Sequence, residues 1–352
     1  MRKQELMRYL GSMQQVAYVR PVSYKEGRSK DLGAVELKNG PLLLTALTDK
    51  CLDISSVSYK GINFNFLSKP GLQGLGHYDT NGDEAIRSIM CGFLFTSGLE
   101  NICAPCRIDD VDYPMHGRMR STPGEHICTD AVWEGDEYVL TVQAEMREAA
   151  LFGENLTLRR TIRTVYGSNS FSLVDEFENE AFRDEPLMLL YHINMGYPFL
   201  NEHTRIYIPT RKVTARDQAG IGHEAAYDRM DPPKDNETEY VFIHELNAEP
   251  DGMISVAVVN EELELGIEIR YHSGNLPYFM EWKTVASGDY ALGLEPANSN
   301  VFGRPWHEQR GDVHKIAPFA KERNELIFSI LDGREDIRKA INRIQGSNPF
   351  IQ

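Results

Sequence analysis

The amino-acid sequence predicts an all-β fold in which antiparallel sheets pack face to face. Three observations carry that expectation. Period-two alternation of apolar and polar residues runs through most of the chain, helical spacing is confined to the two ends, and no regular helix falls between strands as a βαβ chain would require. No Gly/Ser/Pro-rich linker or break in composition divides the 352 residues, so residues 1–352 are expected to form one domain.

Taken in order, Leu6, Leu10 and Met13 recur at i, i+4 and i+7, the stripe of an amphipathic helix. Strands are expected at 34–37 and 42–47. From Tyr138 to Met146, the residues Tyr138, Leu140, Val142, Ala144 and Met146 share one face, with Val139, Thr141, Gln143 and Glu145 on the other. The segment 156–164 turns Thr157, Arg159, Thr161 and Arg163 to water, and 263–271 sets Leu263, Leu265, Ile267, Ile269 and Tyr271 against Glu264, Gly266, Glu268 and Arg270. Both read as strands with one wet face. Further strands are expected at 171–177, 187–192, 253–259 and 326–330, whereas 202–252, with its Asp231-Pro-Pro-Lys-Asp235 run, reads as long loops at one end of the sandwich. Ile337, Ala340, Ile341 and Ile344 close the chain as a second amphipathic helix.

Lys plus Arg number 37 and Asp plus Glu 52, a formal net charge of −15. A field of that sign disfavours nucleic acid and anionic membrane surfaces as partners. No run approaches the roughly 20 apolar residues of a membrane helix, and Met1 to Met13 has no apolar stretch of signal-peptide length, so a cytoplasmic location is expected. The five cysteines, Cys51, Cys91, Cys103, Cys106 and Cys128, make a poor disulfide framework, and reduced thiols are the default. Cys103 and Cys106 have the C-x-x-C spacing of a zinc knuckle or a redox pair, but the second C-x-x-C or His-x-x-x-His partner of a zinc site is absent, and a structural role is the default. Phosphate-loop, G-x-S-x-G and H-E-x-x-H motifs are missing, which leaves nucleotide hydrolysis, serine-esterase chemistry and a metal site without support.

Four polar clusters interrupt apolar or Gly-rich contexts: Gly98-Leu-Glu-Asn101, His116-Gly-Arg118, Tyr191-His-Ile-Asn194, and Glu281-Trp-Lys283 with Leu294-Glu-Pro-Ala-Asn298. His192 follows a strand apolar enough to be interior. It is either a core histidine bonded to the backbone or a donor at the mouth of the sandwich. Glu295 ends an apolar strand, and is either a general base raised in pKa by burial or a structural carboxylate paired with a cation such as Arg304. Alternation places Glu281 and Lys283 on one face and Met280 and Trp282 on the other; Trp282 is either core or a platform for a sugar ring. His116-Gly-Arg118 offers a donor, a close backbone approach and a planar fork, or else an exposed turn.

Together these segments resemble the galactose mutarotase (aldose 1-epimerase) superfamily, and more closely a branch of aldose 1-epimerase-like proteins. Asp49-Lys-Cys-Leu-Asp-Ile54 resembles the branch's D-R-G-L-D-I, Thr96-Ser-Gly-Leu-Glu-Asn101 its T-C-G-L-D-N, and His116-Gly-Arg118 its H-G-R. Tyr191-His-Ile-Asn-Met-Gly-Tyr-Pro198 resembles the strand bearing the acid histidine, and Glu281-Trp-Lys283 with Gly293-Leu-Glu-Pro-Ala-Asn298 the segment bearing the base. The likeness runs from about residue 32 to 330. What it implies is an antiparallel β-supersandwich with short peripheral helices at the termini, a sugar cleft, and neither metal nor organic cofactor.

Carried over residue by residue, the resemblance makes Glu295 the general base and His192 the general acid. Asn101, His116, Arg118, Glu281, Trp282, Lys283 and Asn298 become the substrate-binding set. Mutarotases tend to have Gly-Gly after the first histidine where this chain has Gly117-Arg118, so Arg118 and Asp231 stand as candidates for the family's arginine and binding aspartate. The implied activity is interconversion of sugar anomers, with an imidazolium and a carboxylate on opposite sides of C1 and O5. A monosaccharide or sugar derivative is the expected partner and a homodimer the candidate assembly. Two other readings of the cleft stay open: a non-catalytic sugar sensor, and a lyase or hydrolase in which Arg118 and Lys283 neutralise an acidic glycan.

Overall fold

Alternation in the sequence becomes two large antiparallel sheets and a smaller third in the computed structural model, which describes residues 2–74, 76 and 82–346. Met1 and residues 347–352, part of the span assigned to one domain, lie outside the described residues. The first large sheet has eight strands in the order Thr204–Tyr207, Met253–Asn260, Leu265–His272, Lys321–Asp332, Ser170–Asn179, Asn155–Val165, Glu137–Ala149 and Glu125–Glu134. The second has six: Thr210–Ala215, Tyr240–Leu246, Tyr278–Thr284, Ala291–Ala297, Met188–Met195 and Leu94–Leu99. Five strands between Tyr18–Ser23 and Ile62–Asn63 form the third sheet. One apolar core joins all three. It unites Leu42 and Leu44 of the small sheet with Leu158, Phe171 and Phe328 of the eight-stranded sheet and Leu189, Tyr191 and Leu294 of the six-stranded sheet. The rings of Phe171 and Phe328 stack at 4.6 Å across two hydrogen-bonded strands.

Three expectations need correction. The N-terminal stripe does not form one helix. A single turn, Lys3–Leu6, is followed by a bend and the 3₁₀ turn Met13–Gln15, because Gly11 weakens helix propagation between them. Leu6, Leu10 and Met13 still reach one apolar cluster, against Ala17 and Leu140. The stretch 202–252 contains the strands Thr204–Tyr207, Thr210–Ala215 and Tyr240–Leu246, so its longest irregular part is 216–239. A helix absent from the sequence reading, Gly303–Arg310, has no apolar stripe to announce it and ends on Gly311 in the left-handed conformation at φ 66°. The C-terminal helix Arg334–Gly346 is as expected, burying Ala340 and Ile344 against Ala257, Val259 and Leu331. Among the described residues no helix is long and apolar enough to cross a membrane.

The apolar face of Asn155–Val165 also carries a charge. Arg160 is fully buried; its Nε and Nη2 grip both oxygens of Asp175 at 2.8 and 2.7 Å, and its Nη1 reaches Asp53 Oδ1 at 2.7 Å and the Cys51 carbonyl at 3.0 Å. Tyr191 Oη donates to Asp175 at 2.8 Å, and the Thr96 amide and hydroxyl donate to Asp53 at 3.0 and 2.6 Å. Every guanidinium edge and carboxylate is thus engaged, the condition for tolerating buried charge. The Asp49–Ile54 motif has its physical reason here: Asp53 ties the small sheet to the strands beneath the cleft.

Candidate active site

The six-stranded sheet shows one face to the core and the other to a cleft of about 910 Å³. In Met188–Met195 the side chains of Leu189, Tyr191 and Ile193 enter the core, so alternation turns His192 outward; in Ala291–Ala297 Leu292 and Leu294 enter the core and Glu295 turns outward. The antiparallel register pairs Ile193 with Leu294 and Leu190 with Ala297, which sets His192 directly opposite Glu295. Their side chains meet: His192 Nε2 lies 3.0 Å from Glu295 Oε1, with 3% and 4% of the side chains exposed. The pair is therefore in contact, not separated across a sugar ring as expected.

Packing holds the imidazole. Its Nδ1 is buried with no hydrogen-bond partner among the described residues, while the rings of Trp282, His116 and Phe95 surround it at 5.4, 6.0 and 6.2 Å. Gly293 makes the room. A Cβ there would stand 2.7 Å from His192 Cε1.

His116 completes the floor from the neighbouring loop, its Nδ1 3.0 Å from Ser97 Oγ on Leu94–Leu99. The loop crosses so close to the 98–101 turn that a Cβ on Gly117, at φ 70°, would fall 2.0 Å from the Gly98 carbonyl oxygen. Burial, reinforced by the neighbouring His192 and Arg120, holds the His116 pKa well below the usual imidazole range. His116 is thus a neutral hydrogen-bonding group at neutral pH. Trp282 forms a wall, its Nε1 donating to Glu239 Oε2 at 2.8 Å, and Glu239 Oε1 accepts from Arg216 Nη2 at 3.1 Å. At the mouth, Lys69 and Asp289 form an ion pair.

Residues 29–330 match the family described as Domain of unknown function (DUF4432). The chain belongs to the DUF4432 family. No curated protein matches its sequence. Among solved structures, a "putative aldose 1-epimerase" from Klebsiella pneumoniae subsp. pneumoniae is similar with a TM-score of 0.90 at 20% identity, covering 95% of this chain and 88% of that one. A galactose mutarotase-like protein from Clostridium acetobutylicum (TM-score 0.62, 11% identity, 90% and 99% covered) and the galactose 1-epimerase of Lactobacillus acidophilus (0.58, 14%, 90% and 100%) follow. These likenesses establish a galactose mutarotase-like fold for the DUF4432 chain.

Of the substrate-binding residues expected from sequence, His116 and Trp282 line the cleft; the other five do not, and each has a different occupation. Arg118 pairs with Glu100 and donates to the Asp112 carbonyl at 3.2 Å. Asn101 braces its own loop through the carbonyls of Ala104 and Pro114, at 3.0 and 3.1 Å. Asn298 clamps the edge of Met188–Met195, accepting from the Leu189 amide and donating to the Leu187 carbonyl. Glu281 and Lys283 do share a face, as alternation requires, but that face is the interior one. There Glu281 lies 3.2 Å from His244 Nε2, and Lys283 Nζ donates to the carbonyls of Ala226 and Arg229 at 2.6 and 3.1 Å. Asp231 pairs with Lys234 outside the cleft, and Arg304 bonds Glu308 and the Glu100 carbonyl, leaving His192 as the neighbour of Glu295.

Sequence reasoning missed Glu239 and Arg216, which lie in or beside the irregular 216–239 stretch where no periodicity or motif marks them. Cys103 also lines the cleft, its thiol pKa pushed up by burial, which makes it a poor nucleophile; Cys106 lies 3.7 Å from Asn101 Oδ1, and both are free thiols. Among the described residues no group of three or more His, Cys, Asp or Glu side chains is placed to hold a metal ion.

The turn behind His116 carries a titration signature. Glu148 is buried, accepts the Leu99 amide at 3.3 Å, and is pushed up to about 8 by burial and then by the neighbouring Glu100. The folded protein therefore holds a proton that the unfolded chain releases near 4.5, so stability falls as pH rises from about 4.5 to about 8. Glu148→Gln should remove that slope. At about 1.4 kcal/mol per pKa unit, the variant should exceed the parent by a few kcal/mol in urea unfolding at pH 8.5 and match it at pH 5; parallel curves would return Glu148 to an ordinary carboxylate.

Proposed function

We propose that the protein is an aldose 1-epimerase-like isomerase that interconverts the anomers of a free sugar by acid–base ring opening. The observation that carries this reading is the buried His192–Glu295 contact at the floor of a cleft walled by Trp282. O1 and O5 of a pyranose are bonded to the same carbon. An acid and a base in contact suit a proton exchange at two such oxygens, with the sugar seated over the pair and against the indole.

In the forward direction Glu295 takes the proton of the anomeric hydroxyl while protonated His192 delivers one to O5. The C1–O5 bond breaks and the open aldehyde forms. Rotation about C1–C2 presents the other carbonyl face, and the reverse transfers close the ring as the second anomer. His116, neutral and tied to Ser97, serves as a hydrogen-bonding partner for a sugar oxygen; its low pKa leaves the acid role to His192. The lyase or hydrolase reading loses its anion-binding cations, since Arg118 and Lys283 are engaged within the chain and away from the cleft.

The test is anomer exchange. With a panel of aldoses, magnetisation exchange between the α and β anomeric protons, or polarimetry of freshly dissolved pure anomer, should show catalysed equilibration for at least one sugar. Saturable sugar binding without exchange across the panel would reduce the protein to a sensor.

A further inference from the structure

One end of the eight-stranded sheet is apolar where it meets solvent. The register brings the end of Glu137–Ala149, the start of Asn155–Val165, the end of Ser170–Asn179 and the start of Lys321–Asp332 to the same edge. Leu151 and Phe152 sit at the tip of the first hairpin, 87% and 94% exposed; Phe182 and Phe319, 90% and 56% exposed, meet edge to face at 5.1 Å on the adjoining loops. Arg147 links the two halves by bonding both Asn155 and Glu180. Phe152 holds φ 62°, a left-handed conformation that a bulky residue adopts at a cost.

We infer that this end of the sheet is the surface through which two copies of the chain associate. At roughly 200 Å² for each large side chain, the exposed fractions of these four residues offer about 600 Å² per chain. That is at the top of what a lone monomer leaves bare. With a polar rim it reaches the roughly 800 Å² per partner of a stable interface.

Around the patch Arg147 pairs with Glu180, Arg183 with Glu185 and Lys321 with Glu178, so docking strands none of these ions. The chain's net charge of −15 opposes an anionic bilayer. The patch has an exposed hairpin tip, Leu151–Phe152, beside the edge-to-face pair Phe182 and Phe319. A two-fold axis lets each tip rest on the other copy's pair, the self-complementarity that a closed dimer requires.

Sedimentation equilibrium of the full chain at micromolar concentration should give twice the 40.0 kDa of one chain. Raising salt should tighten association, because it screens the repulsion between two acidic copies while leaving the apolar contact intact. Phe152→Asp combined with Phe182→Asp should weaken the dimer by roughly 30-fold or more, with an unchanged circular dichroism spectrum because both side chains stand in solvent. Leu151→Glu alone provides a second, milder probe in the same direction. A wild-type chain that is monomeric throughout the micromolar range overturns the proposal, as does a dimer indifferent to both sets of substitutions. Sedimentation of a monomeric chain with phosphatidylcholine vesicles, lost in the Phe152→Asp variant, would assign the patch to a lipid surface and overturn it equally.

Discussion

Glu295→Gln should lower anomer exchange by about 10²- to 10⁴-fold, the range set by removing a positioned general base. The amide keeps the shape of the side chain and its place opposite His192, yet it cannot take the proton of the anomeric hydroxyl. Binding of the sugar, read by calorimetry, should change little, so the loss falls on turnover. Turnover equal to that of the parent would remove Glu295 from the mechanism. His192→Gln should lose turnover as well, and the double variant should be scarcely worse than either single one, because acid and base act in one event.

The second large effect is on stability. Arg160→Ala should destabilise the fold by about 3–5 kcal/mol, since it leaves Asp53 and Asp175 buried without their shared cation. Against a typical total of about 5–15 kcal/mol, that is enough to lower the urea midpoint sharply or to leave the chain unfolded at body temperature. The neighbouring residue supplies the control. Arg159 is half exposed and pairs with Glu145 at 2.9 Å on the wet face, so Arg159→Ala should cost at most about 1 kcal/mol. Equal losses from the two substitutions would mean that the Arg160 network carries no more than a surface pair.

Arg159 and Arg160 also illustrate what the sequence makes legible. Alternation assigns Arg159 to water correctly, and the same parity puts Arg160 on the apolar face, where an arginine has no reason to be until its two carboxylates, Asp53 and Asp175, are known to converge from distant strands. The wet face of Asn155–Val165 was readable for this reason, and so were the positions of His192 and Glu295 on strands buried on both sides; the wet face expected for 263–271 is instead covered, with Glu268 3% exposed and held by Arg343 of the C-terminal helix. Parity failed at Glu281–Trp282–Lys283 in one particular way. It separates Trp282 from its two neighbours but cannot say which face is the cleft, and the usual preference for polar residues outside points the wrong way when His244 and backbone carbonyls receive the charges within. Asn101 and Asn298 share a sugar-binding residue type with true ligands, yet their amides satisfy backbone groups of their own loops, a role that only the chain's path discloses. Glu239 was invisible because its importance lies in one bond to an indole 43 residues away.

The strand order has a consequence for biosynthesis. Lys321–Asp332 lies in the middle of the eight-stranded sheet, between Leu265–His272 and Ser170–Asn179, and the two strands it joins are already synthesised when it emerges. Until then the sheet consists of two halves with open, apolar edges facing one another, and no direct ladder can close them in register. A nascent chain must keep those edges from pairing with each other or with neighbouring chains while about 50 residues, from 273 to 320, are added. Slow, late closure is the expected kinetic character of such a topology, and translation stalled before residue 321 would yield aggregation-prone fragments.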